Sequence, residues 1–146
     1  MGKVNYAAID IGSNAVRLLI KSKRNTAEDV RRVHALFHQD GVLLCRKHGP
    51  TPPWQLLRLG FDVFSIGELS EKKADKLRRL MKAFRQLMKI YDVDDYRACA
   101  TSAMRDARNG RTIIKKIEKD TGIRIEIIDG QEEARMIYNN HIECME

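Results

Sequence analysis

Two kinds of apolar spacing alternate along this chain. From Val4 to Ile11 the run Val-Asn-Tyr-Ala-Ala-Ile-Asp-Ile is short and mostly apolar, with Asp10 near its end. Gly12-Ser13-Asn14 then supplies turn residues, and Ala15 to Ile20 is apolar again. Short apolar runs split by such a cluster predict two strands joined by a tight turn. Further on the spacing lengthens. Ala74, Leu77, Leu80, Met81, Phe84, Leu87, Met88 and Tyr91 recur three or four residues apart, with lysines and arginines between them. That period predicts an amphipathic helix to about Tyr91. Ser70 is its cap, and Glu71 lies in the first turn, where the helix dipole favours an acid.

Tyr96 to Thr101 reads as a buried strand, followed by a polar loop or short helical turn over 101–106. Ile113, Ile114 and Ile117 predict a helix over about 111–120, and Gly122 is placed to stop it. Ile123 to Ile128 begins with strand-like alternation, Asp129-Gly130 is a turn, and a last helix is expected from near Gln131 to about Asn140. Residues 57–67 read as a strand end, a turn and a short irregular stretch. Residues 22–56 are irregular or divergent: Thr26 is placed to cap a helix over 27–38, Val42 to Cys45 suggests a short strand, and 46–53 is a loop holding Pro50, Pro52 and Pro53. The resulting order, β-β-β-α-β-α-β-α, implies an α/β fold, a mixed sheet with helices packed on it. Residues 1–146 are expected to form one domain.

Composition narrows the partners. Lys and Arg exceed Asp and Glu by 27 to 20, a formal net charge of +7. A basic balance points to polyanions: nucleic acid, an anionic membrane or a phosphate-rich substrate. No apolar run approaches the roughly 18 residues a membrane span needs, and no signal-peptide pattern opens the chain, so a cytoplasmic protein is expected. Cys45, Cys99 and Cys144 are scattered and odd in number, which is no disulfide framework. Cys99 reads as a small buried hydrophobe. His34, His38, Cys45 and His48 cluster in a polar segment; a zinc site is conceivable there, but the order and spacing favour plain surface histidines.

Three segments carry candidate chemistry. In Asp10-Ile11-Gly12-Ser13-Asn14, Gly12 lets backbone approach a ligand, Ser13 and Asn14 add donors, and Asp10 can hold a metal through water, as magnesium prefers. Read alone, the segment is more simply an ordinary hairpin turn. In Ala100-Thr-Ser-Ala-Met-Arg-Asp106, Ser102 and Arg105 at a strand's C-terminal end suit a phosphate oxygen; the plainer reading is a helix cap with a surface arginine. Glu132 and Glu133 open the last helix. They complement its dipole, and one of them could orient a water as general base. The basic helix 71–91 could bind a polyanion, although such a charged stripe is usually a solvated face.

In this order the segments resemble the exopolyphosphatase/guanosine pentaphosphate phosphohydrolase family, of the superfamily that contains actin, sugar kinases and the heat-shock chaperone ATPases. The matching stretches are Tyr6 to Ile20, Arg58-Leu-Gly-Phe-Asp-Val-Phe64, Ala100 to Gly110 and Ile127 to Ile137, and the resemblance extends over 4–21 and 57–140. It implies a ribonuclease-H-like, actin-like ATPase domain. It also implies that Gly12, Ser13 and Asn14 form a phosphate loop with Asp10 near a magnesium ion, and that Arg17 and Arg105 contact phosphate. Glu133 is then the general base, with Glu132 as second choice. The family reaction is hydrolysis of a terminal phosphoanhydride, from polyphosphate or a guanosine pentaphosphate.

Two departures qualify the resemblance. The family's second glycine-rich loop, Asp-x-Gly-Gly-Gly-Ser-Thr-Glu, does not occur in the sequence, so the chain is expected to be inactive alone and to need a second domain, on a separate chain if not its own. Residues 22–56, rich in His, Arg and Pro, do not continue the family's strand pattern, as if the stretch were frameshifted or replaced. The alternatives to a hydrolase are a non-catalytic phosphate or nucleotide module and, less favoured, a basic nucleic-acid binder.

Overall fold

The computed structural model describes residues 3–24, 42–43 and 57–143. The expected helix over 27–38, the 46–53 loop, the His34, His38, Cys45 and His48 cluster and Cys144 lie outside the described residues. Strands β1 (Lys3–Ile11) and β2 (Val16–Arg24) form the expected hairpin, with Ile11 opposite Val16 and Lys3 opposite Arg24. The ladder to β1 carries β2 through Lys21–Arg24, polar residues that gave no strand signal of their own. β3 (Val42–Leu43) pairs with β2, and β4 (Asp95–Ala100) and β5 (Glu126–Ile127) complete a five-stranded sheet of order β3-β2-β1-β4-β5. β1, β4 and β5 run parallel; β2 and β3 are antiparallel to their neighbours. The architecture is the expected mixed sheet.

Among the described residues five helices accompany it: α1 (Leu59–Ile66), α2 (Glu71–Ile90), α3 (Ser102–Asp106), α4 (Gly110–Thr121) and α5 (Gly130–Glu143). The Ser70 hydroxyl accepts from the Lys73 amide at 3.4 Å and caps α2, and Gly122 stops α4 in the left-handed conformation, φ 73°. α1 corrects the reading of 57–67 as a strand end and turn. Only Leu59, Gly60 and Val63 of this helix are buried, while Phe61, Phe64 and Ile66 face solvent. Its apolar residues therefore do not mark one helical stripe, and the period was masked. β5 is shorter than the six-residue strand its alternation suggested.

Strand periodicity divides the sheet into two faces. Ala7, Ile9 and Ile11 of β1 meet Val16 and Leu18 of β2 and Ala98 and Ala100 of β4 in the main core. Leu77, Met81, Phe84 and Met88 of α2 and Ile113, Ile114 and Ile117 of α4 close over it. On the opposite face lie two small apolar clusters, Tyr6-Ala8-Leu19 and Cys99-Ile128-Met136, the latter placing α5 there. The same face carries Asp10, Arg17 and Arg97, which share its parity in the register. The Cys99 thiol is raised to about 11, chiefly by burial, with Arg97 drawing it down and Glu126, Asp10 and Glu132 adding to the rise.

Candidate functional site

Parallel pairing decides where the candidate residues meet. β1, β4 and β5 point the same way, so the segments that follow them open at one edge of the sheet, the place where ligands of such sheets bind. Main-chain bonds tie these segments together: Thr101 N–H donates to Ile11 O at 3.2 Å, and Ile128 N–H to Ala100 O at 3.0 Å. Two predicted motifs thereby touch. Ser13 and Ser102, 89 residues apart in sequence, have hydroxyl oxygens 2.7 Å apart.

Each predicted residue takes a distinct position at this edge. The Gly12 N–H donates to Ala15 O at 3.0 Å and closes the hairpin turn, so the donors left to the loop are the Ser13 and Asn14 amides and side chains. Asn14 is exposed. Arg17 stands opposite Asp10 across the hairpin, its Nη1 3.7 Å from the carboxylate, and half of its side chain is exposed. Arg105, on α3, donates from Nη1 to Ile128 O at 2.9 Å and reaches Asp106 from Nε at 3.7 Å. A guanidinium carries five N–H donors, so this anchorage leaves others for an anion. Arg105 thus spans from the Ser102 segment to the segment that enters α5.

The two glutamates part company. Asp129 Oδ1 accepts the Glu132 N–H at 2.8 Å and caps α5, which fixes the first turn. The Glu132 carboxylate is drawn between Arg97 at 3.8 Å and Arg135 at 3.6 Å. The half-buried Glu133 side chain has no ion pair or side-chain hydrogen bond among the described residues. The Glu132 carboxylate is thus engaged in two ion pairs, and that of Glu133 in none among the described residues.

Two contributors escaped the sequence reading. Gly60 N–H donates to Ser13 O at 2.8 Å, and a Cβ on Gly60 would stand 3.0 Å from Ser13 Cβ and 2.9 Å from the Phe64 ring. A side chain at position 60 would press on Ser13 and displace the exposed Phe64 ring, so glycine suits this close approach of α1 to the Ser13 loop. The signal was the Leu-Gly pair inside the stretch Arg58–Phe64. Arg97, with its side chain only 13% exposed, donates to Glu126 at 3.1 Å as well as facing Glu132. Its signal was one charge inside an apolar strand.

Among the described residues no three His, Cys, Asp or Glu side chains group as a metal-ligand set. A single carboxylate, Asp10, suits an ion that keeps its waters and is shared with a bound phosphate, which is how magnesium usually binds. No described helix is long and apolar enough to cross a membrane. A cavity of about 290 Å³ lined by Arg85, Met88, Lys89, Asp92, Val93 and Tyr96 lies at the other end of α2 and shares no residue with the serine edge.

Comparison with known proteins identifies the family and the fold. Residues 53–146 match the model of the Ppx/GppA phosphatase family. Exopolyphosphatase 1 of Mycobacterium tuberculosis is 28% identical over 138 residues, covering 92% of this chain and 34% of that protein. A bifunctional 3-dehydroquinate synthase/phosphatase of Fusobacterium nucleatum is 28% identical over 130 residues, 88% of this chain and 18% of the relative. Among solved structures, the Aquifex aeolicus Ppx/GppA family member superposes with a TM-score of 0.69 at 25% identity, over 92% of this chain and 38% of that one. An exopolyphosphatase from Cytophaga hutchinsonii gives 0.65 at 26%, over 90% and 36%. The structural neighbours are actin-like ATPase domains. The chain spans about a third, or less, of the length of the curated relatives it matches.

Proposed function

The chain belongs to the Ppx/GppA phosphatase family, and we propose that its serine edge is one wall of a site that hydrolyses terminal phosphoanhydride bonds of polyphosphate or a guanosine pentaphosphate. The observation that carries this reading is the 2.7 Å contact between Ser13 and Ser102, which joins two phosphate-type loops at the C-terminal edge of the parallel strands. Hydrolysis of a phosphoanhydride asks for donors and cations around the phosphoryl oxygens and a positioned water. Here the donors are the Ser13 and Asn14 amides and the two serine hydroxyls. Arg17 and Arg105 supply the positive charge. Glu133 accepts the proton of the attacking water, and Glu132, held by Arg97 and Arg135, keeps the first turn of α5 in place. Asp10 would hold magnesium together with the substrate's own phosphate oxygens, and the ion would neutralise charge on the leaving phosphate.

In this reading turnover belongs to the full-length enzyme design, and the 146-residue chain binds phosphate without releasing product. The test is titration of the chain with tripolyphosphate in magnesium, alongside a phosphate-release assay. Binding that is lost in Arg105→Ala and kept in Glu133→Gln is expected. No binding by the unaltered chain would reject the site. Release by the chain alone, abolished in Glu133→Gln, would keep the site and overturn the single-wall view.

A further inference from the structure

The excess positive charge of the molecule does not lie at the serine edge. α2 and α4 together hold twelve Lys and Arg against four Asp and Glu, so the rest of the chain has fifteen against sixteen and is slightly acidic. These two helices pack side by side, joined where Arg78 meets Asp120 at 2.9 Å. On the solvent side of α2, Lys72, Lys76, Arg79, Lys82 and Lys89 are exposed. They bring a cation at nearly every turn along about 26 Å, at 1.5 Å per residue. Arg111, Lys115 and Lys119 repeat at four-residue spacing on the exposed side of α4.

The acids on these helices offset part of that charge: Asp75 pairs with Arg78 and Arg79, and Asp120 with Arg78 and Lys82, while Glu118 accepts the Ile125 N–H at 2.9 Å. Lys72, Lys76, Lys89, Arg111, Lys115 and Lys119 form no ion pair among the described residues, and they carry the strip's uncompensated charge. A single bound phosphate does not need a cationic strip of this length, whereas an extended polyanion does. Between the exposed cations the side chains, such as Ala83, Gln86 and Thr112, include no aromatic ring; exposed rings stand at the two ends of α2, Phe61 with its centroid 5.4 Å from Lys73 Nζ and Tyr91 after the last turn. Surfaces that hold single-stranded nucleic acid interleave basic residues with aromatics on which bases stack. Charge without stacking platforms matches a chain of phosphates that has no bases. The strip also starts near the proposed site. The first turn of α2 is pinned to α1 through the Lys73–Asp62 ion pair at 2.7 Å, and α1 is the helix whose Gly60 bonds Ser13.

We infer that the solvent faces of α2 and α4 form a docking track for an extended inorganic polyphosphate chain. The identity of the polyanion rests on the phosphoanhydride reading above; the existence of the track rests on the charge distribution alone. The track holds the part of the polymer beyond the terminal phosphates and raises affinity with chain length.

The test compares tripolyphosphate, long-chain polyphosphate and single-stranded poly(U) RNA as ligands of the full chain at one physiological salt concentration. Replacing Lys72, Lys76 and Arg79 by Glu is expected to weaken long-chain polyphosphate at least about tenfold, as loss of several phosphate contacts does for a polyanion. Tripolyphosphate affinity stays unchanged. Gln at the same three positions, which leaves helix propensity intact, should give a smaller loss of the same kind and guards against misfolding by charge reversal. Unchanged long-chain affinity in both variants would overturn the proposal. RNA bound as tightly as polyphosphate would reassign the face to nucleic acid. If Arg105→Ala leaves tripolyphosphate binding intact while the Glu variant still loses the long chain, the serine-edge reading fails and the track survives.

Discussion

Toward α1, α2 and α4 the sheet presents Ala7, Ile9, Ile11, Val16, Leu18, Ala98 and Ala100, with no charge among them. Toward α5 the same three strands present Tyr6, Ala8, Leu19 and Cys99, interrupted by Asp10, Arg17 and Arg97. The first face excludes water completely at Ile9 and Ile11 and supplies most of the burial that holds the fold. The second gives up part of that burial to seat charges beside the segments that enter the site. Neighbouring residues of one strand thus alternate between a wholly apolar face and a partly charged one, and a substitution should reveal which face it strikes.

The largest expected effect is Ile9→Ala. It should cost about 2–5 kcal/mol in denaturant unfolding, because the side chain is fully enclosed and its loss leaves a cavity. Next comes Arg97→Met on the opposite face. Its partners Glu126 and Glu132 are exposed enough to be rehydrated, so the loss should stay under about 2 kcal/mol by the same measurement. A cost equal to that of Ile9→Ala would erase the contrast between the faces.

A smaller effect is expected from the polar pin at the rim of the closed face. Burial pushes the Asp62 carboxyl up, but hydrogen bonds from Lys73 and Ser70 outweigh it and hold the group below its ordinary 3.8. A depressed carboxyl stabilises the fold fully above 3.8 and loses that contribution as pH falls through its lowered value. Asp62→Asn should therefore be less stable than the parent at neutral pH and indistinguishable from it in strong acid. A difference that persists unchanged at low pH would show that Asp62 acts through packing alone. The smallest effect is Arg17→Ala, whose half-exposed pair with Asp10 should contribute no more than about 1 kcal/mol to stability. A larger loss would mean that the charged face carries the fold as well.

Much of this arrangement was legible in the sequence where one period dominated. The β1–β2 hairpin, α2 with its Ser70 cap, β4 and the Gly122 stop of α4 each have an unmixed pattern, and the structure places them where those patterns indicated. α1 was not legible, because two exposed phenylalanines fill its apolar quota on the wrong side. Of the site, the Ser13 and Ser102 segments could be identified separately, but their contact depends on parallel pairing of strands 89 residues apart, which no local pattern states. The division between Glu132 and Glu133 was equally hidden, since it depends on where Arg97 projects from β4 and Arg135 from α5.

The serine pair has one more consequence. Either oxygen of the Ser13–Ser102 contact can be the donor, so the two hydroxyls keep each other satisfied in two interchangeable proton arrangements. An incoming anion that accepts from both must break this mutual bond. The change is confined to rotation of two hydroxyl groups, while the backbone around them is already tied by the Thr101, Ile128 and Gly60 amides. Among the described residues, opening this edge to an anion would then turn on side-chain rotors, which move on the picosecond-to-nanosecond scale.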